Sequence, residues 1–136
     1  MKKIALLAVL AVSLPVHAED VSGAFRTCRE YPSPAAFVES STTLMTPRVI
    51  DSISYYPPRY QLTYDGIPVF AVFGADPSDP TFRRSPGAST PSMYGVTVEA
   101  PTAARDALVN GTAARGEASG LRLAGHKYVD IICDVQ

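Results

Sequence analysis

Beyond residue 18 the chain carries one histidine, His126, one lysine, Lys127, and two cysteines, Cys28 and Cys133. Two cysteines do not make a usual structural zinc site, and there is no C-x-x-C to support redox chemistry. No G-x-S-x-G, H-E-x-x-H, P-loop or G-x-G-x-x-G motif occurs, so the common nucleophile-elbow, zinc-protease and nucleotide sites have no footing here. Charge of one sign is also missing. Twelve Lys and Arg stand against thirteen Asp and Glu, a net charge of −1, which excludes the broad basic field that grips nucleic acid. No internal repeat or heptad is present. After the first sixteen residues no apolar run approaches the about 20 residues of a membrane helix.

What is present starts with a leader. Lys2 and Lys3 precede an almost unbroken apolar run from Ile4 to Val16, and Val16-His17-Ala18 puts small residues at the −3 and −1 positions of a cleavage site. This is the pattern of a secretory signal, so residues 1–18 are expected to be removed on export to the periplasm or the medium. The remaining chain, 19–136, has ten basic and thirteen acidic side chains and is expected to form a single domain.

Export would place Cys28 and Cys133 in an oxidising compartment, where one intramolecular disulfide is the expected state. It would close a loop of about a hundred residues, which the chain-entropy model values at roughly 4–5 kcal/mol.

Local patterns suggest the elements. Residues 19–32 read as mostly extended. Ser33-Pro34 opens a short helix, with Ser as N-cap and Pro at the first helical position. Arg48 to Tyr56 reads as one strand, ended by Pro57-Pro58. Arg59–Tyr64 and Ile67–Phe73 flank Asp65-Gly66, the signature of a type I′ hairpin. Residues 74–92 hold four prolines and little to bury except Phe82, and read as a long Pro-rich loop. Met93–Glu99 alternates as a strand, Pro101 to about Asn110 reads as a helix, and 111–119 as a small-residue loop. Gly120–Leu123 and Lys127–Val135 complete the strands. In the last of these Val129, Ile131, Cys133 and Val135 share one face, and Asp130 and Asp134 the other. The order implies α+β: a mainly antiparallel sheet with one or two short helices on one face, and one disulfide.

Candidate chemistry is sparse. His126 would need a nucleophile or an orienting acid beside it to act as a general base, and Ser119 and Asp130 are the nearest candidates. Asp76 and Asp79 sit among prolines and read as turn caps rather than a calcium loop. Asn110-Gly111-Thr112 matches the N-glycosylation pattern. No cofactor or metal is expected.

Two segments read as contact surface. Tyr55, Tyr56, Arg59 and Tyr60 concentrate the residue types that dominate protein interfaces, and Phe82, Arg83 and Arg84 do so on the long loop. The expectation is a small exported, non-catalytic protein that binds another protein, as an inhibitor of, or immunity factor against, an enzyme acting at the envelope. The alternatives are a small envelope hydrolase using His126 and a structural or assembly factor. The last would need an exposed strand edge, against which Pro68 and Pro57-Pro58 argue.

Overall fold

The computed structural model describes residues 19–43, 46–83 and 91–135. The leader expected over residues 1–18 lies outside that range, as do Arg84 and residues 85–90 of the Pro-rich loop.

The fold is α+β, built on one largely antiparallel sheet with three short helices. Its strands are β1 (Glu19–Asp20), β2 (Arg48–Ile50), β3 (Ile53–Tyr56), β4 (Leu62–Tyr64), β5 (Ile67–Ala75), β6 (Met93–Glu99), β7 (Arg115–Ala118) and β8 (Tyr128–Asp134). The helices are α1 (Ser22–Phe25), α2 (Pro34–Ser41) and α3 (Arg105–Val109). β5 is the axis. One of its edges pairs with β6, followed by β8 and then β7. The other edge is shared: β4 takes the start of β5, and β3 takes its end, with β2 outside β3. β1 lies parallel to β4.

Several expectations hold at the level of single residues. Ser33 caps α2, its hydroxyl accepting from the Ala36 N–H at 3.1 Å. Asp65 and Gly66 have φ of +50° and +79°, as a type I′ turn requires, and Tyr64 pairs with Ile67 across it. Asp76 and Asp79 cap turns through Ser78 N–H and Thr81 N–H.

Others are corrected. The run Arg48–Tyr56 is two strands, because Asp51 and Ser52 both take positive φ and fold it into a hairpin. Asp tolerates that region through local hydrogen bonding, and the missing glycine hid the turn. Residues 19–32 are not extended throughout, since α1 interrupts them. The expected helix from Pro101 begins as a 3-10 turn, Thr102–Ala104, before α3. The small-residue stretch 111–119 contains β7, held to β8 from Arg115↔Ile132 to Ala118↔Val129. Gly120–Leu123 is not a strand; only Leu123 and His126 bridge.

Both faces of the sheet are covered. On the first, Phe25 of α1 and Phe37 and Val38 of α2 pack on Tyr64, Val72, Tyr94, Val96, Val98 and Ile131. Leu108 and Val109 of α3 border this core. Phe25 meets Phe37 and Tyr64 edge-on, at ring separations of 6.0 and 5.4 Å. Cys28 and Cys133 form the expected disulfide, with Cα atoms 5.3 Å apart.

On the second face Tyr55, Phe73, Met93, Leu121, Tyr128 and Ile132 form another core, bordered by Ile50 and Ile53 of the β2–β3 hairpin. The hairpin therefore folds over the face that carries Asp130. Gly95 makes this close packing possible: a Cβ there would lie 1.9 Å from the Ile131 carbonyl oxygen and 2.5 Å from the Phe73 ring.

Candidate functional site

The tyrosine-rich segment divides on folding. Tyr55 and Tyr56 point into the two cores and are each 4% exposed, whereas Tyr60 is 80% exposed. Strand alternation puts neighbouring side chains on opposite faces, and here both faces are covered. Arg59 is half-buried. Its N–H donates to the Ser41 carbonyl at 2.7 Å, its guanidinium lies 3.6 Å from the Glu19 carboxylate, and it approaches the Tyr60 ring at 5.3 Å. Tyr60 itself has φ +53°, an unusual value for a bulky residue and one that turns its ring outward.

On the Pro-rich loop, Phe82 is buried. Its ring packs where Gly74 leaves the strand bare, beside Val38, and so pins the loop to the first core. Arg83 is exposed. Thus Tyr60 and Arg83 reach the surface, Arg59 does so in part, and Tyr55, Tyr56 and Phe82 serve the cores.

A second set of surface groups starts on β5 and reaches the turn before β8. β5 carries a bulge: Val69 pairs with Val98 and Ala71 with the adjacent Thr97, leaving Phe70 as the extra residue. Phe70 is 41% exposed, and its ring stacks on Tyr128 at 4.5 Å. The His126 ring lies near-parallel to Tyr128 at 6.3 Å. Tyr128 and His126 border a hollow of about 420 Å³, which Ser119, Arg122, Leu123 and Lys127 also line. At the other end, Pro68 and Tyr60 border a hollow of about 360 Å³ with Leu62 and Val69. Tyr60, Pro68, Phe70, Tyr128 and Leu123 therefore mark one aromatic and apolar strip across the sheet.

Sequence reasoning missed Pro68, Phe70, Leu123 and Tyr128 in this role. The signal was faint but present. Ile67–Phe73 has no polar residue, so a strand with one outward position had to expose something apolar.

The buried carboxyl of Asp130 forms the second face's polar centre. Tyr55 Oη donates to Oδ2 at 2.7 Å and Thr97 Oγ1 donates to Oδ1 at 2.6 Å. Burial pushes the Asp130 pKa up, against the hydrogen bonds from Thr97, Tyr55 and Ser119. Burial and the neighbouring Asp130 also raise the Tyr55 phenol.

His126 does not join this group. It is an exposed turn residue whose Nδ1 engages Glu99 Oε1 at 2.5 Å. Ser119 Oγ accepts from the Leu121 N–H at 3.1 Å. Among the described residues no hydrogen bond links Ser119 to His126, so the geometry assembles no nucleophile–base pair there. Among the same residues no three His, Cys, Asp or Glu side chains come together as metal ligands.

Compared with protein-family models, curated protein sequences and solved structures, the chain has no match.

Proposed function

We propose that this is an exported, non-catalytic protein that binds another protein through the strip from Tyr60 to Leu123. One observation carries the reading. Of the four large hydrophobic side chains exposed among the described residues, Tyr60, Phe70 and Leu123 lie along this strip, and only Val49 lies elsewhere. Single exposed apolar residues need no explanation, but their alignment beside hollows and among aromatic rings is how contact surfaces are built. The end-to-end disulfide suits an oxidising compartment, and among the described residues no helix is long and apolar enough to cross a membrane. With a leader-like N-terminus, these features favour an inhibitor of, or immunity factor against, an envelope-acting enzyme.

The test is a comparative pull-down from envelope extract, using oxidised protein and the triple variant Tyr60→Ala, Phe70→Ala, Leu123→Ala. The expected result is an enzyme captured by the natural chain, inhibited by it, and lost by the variant. Equal capture by both proteins would remove the strip as the contact surface. No capture by either, from extracts of cells that express the gene, would refute protein binding at the envelope.

A further inference from the structure

The hollow at the Tyr128 end of the strip is lined by basic and hydroxyl side chains as well as apolar ones. Arg122, His126 and Lys127 supply cationic or donor groups, and Thr102 and Ser119 supply hydroxyls. Among the described residues no carboxylate lines it. Glu99 lies beside it, but is held by His126 Nδ1. Asp130 is buried, its oxygens engaged by Tyr55, Thr97 and Ser119.

The local fold adds a second observation. Leu123 bridges His126 in an antiparallel sense. Arg122 and Lys127 therefore flank that bridge on its two arms. Among the described residues neither Arg122 nor Lys127 forms an ion pair, so both charges are left to solvent or to an added anion. The polar face adjoins the apolar side chains of Leu121, Leu123 and Tyr128.

We infer that this hollow is a binding site for a small anion, a carboxylate or phosphate attached to an aromatic or aliphatic body. The anionic group lies between Arg122 and Lys127, and the body lies against Tyr128 and Leu123. Arg offers a planar pair of donors and Lys a mobile ammonium, a pairing that accepts either oxyanion. The site shares Leu123 and Tyr128 with the strip proposed above, but its test uses small anions on the free chain, so the two readings fail separately.

Benzoate and phenyl phosphate distinguish the two oxyanions, with benzyl alcohol as the neutral control. Backbone amide shifts in a 1H–15N NMR titration give the readout. At least one anion is expected to shift the amides of Ser119, Leu123 and His126 saturably, with a dissociation constant on the order of millimolar for a ligand this small. The tighter of the two identifies the preferred group. Arg122→Ala and Lys127→Ala, both at exposed positions, are each expected to weaken binding about tenfold, the scale of one charge-assisted hydrogen bond. Two results would overturn the assignment: no saturable shift with either anion, or binding by benzyl alcohol or the double variant as tight as that of the anions to the natural chain.

Discussion

Reducing the Cys28–Cys133 bridge should cost this domain a large part of its stability. The two residues are 105 apart in sequence, and the chain-entropy relation gives about 4.8 kcal/mol for a loop of that length. Typical domains have only about 5–15 kcal/mol in total. With about 2.1 cal/mol/K of unfolding entropy per residue over roughly 120 residues, the same loss corresponds to a fall in Tm of about 20 °C. The assay is urea unfolding of the oxidised protein, the reduced protein, and the double variant Cys28→Ala, Cys133→Ala. Because Cys133 is fully buried, the double variant also loses packing, so the reduced natural chain gives the cleaner value. Reduction should also raise the denaturant slope, since a chain freed of its cross-link exposes more surface when unfolded. A stability difference below about 1 kcal/mol would refute the reasoning, because the bridge would then restrain little in the unfolded chain.

Two further outcomes are expected. Asp130 and Asp20 should give pH dependences of opposite sign. Burial raises Asp130, so the stability linked to it is present at low pH and is lost as pH rises through its folded value. At Asp20 desolvation acts upward, but hydrogen bonds from the Ser22 hydroxyl, the Gly66 and Ser22 N–H groups and the Thr63 hydroxyl prevail and hold its pKa well below the usual range. Its contribution is lost progressively as pH falls from the ordinary carboxylate range towards that depressed value. Tm measured from about pH 2 to about pH 8 should therefore show Asp130→Asn flattening the decline above the usual carboxylate range and Asp20→Asn removing a loss in strong acid. Phe82→Ala should cost about 3–5 kcal/mol in urea unfolding, whereas Tyr60→Ala should change stability by less than about 0.5 kcal/mol. The reverse order would mean that the burial of these two rings has been misread.

Much of the fold was legible because it rested on local chemistry. Ser33-Pro34 and Asp65-Gly66 specify a helix start and a hairpin turn through the residues directly involved. Oxidation of the only two cysteines needed no pattern beyond their number and a leader-like N-terminus. The hairpin at Asp51-Ser52 was hidden because its two positive-φ positions carry no glycine to mark them. β7 was hidden for another reason. Arg115-Gly116-Glu117-Ala118 has little strand propensity of its own, and the ladder to β8 supplies the conformation. Arg115 strengthens that attachment with paired hydrogen bonds to Asp134 at 2.7 and 3.1 Å.

The surface was harder to read than the fold. Tyrosine has one composition-level meaning and several structural ones, and whether a ring meets a core or solvent depends on what covers each face. Asp130 makes the same point: strand alternation places it on a face with Asp134, but not whether that face is covered, and it is buried. The β2–β3 hairpin folds over its face, a contact between segments some 75 residues apart.

The bulge on β5 separates scaffold from surface at a single residue. With Phe70 set aside, Val69 and Ala71 pair with Val98 and Thr97 in unbroken succession, and Val69, Ala71 and Val72 face the cores in regular alternation. Phe70 is surplus to both the ladder and the packing. Its place in the chain supports only the outward ring that stacks on Tyr128. The chemistry displayed at this position is therefore free to diverge without retuning the sheet that carries it.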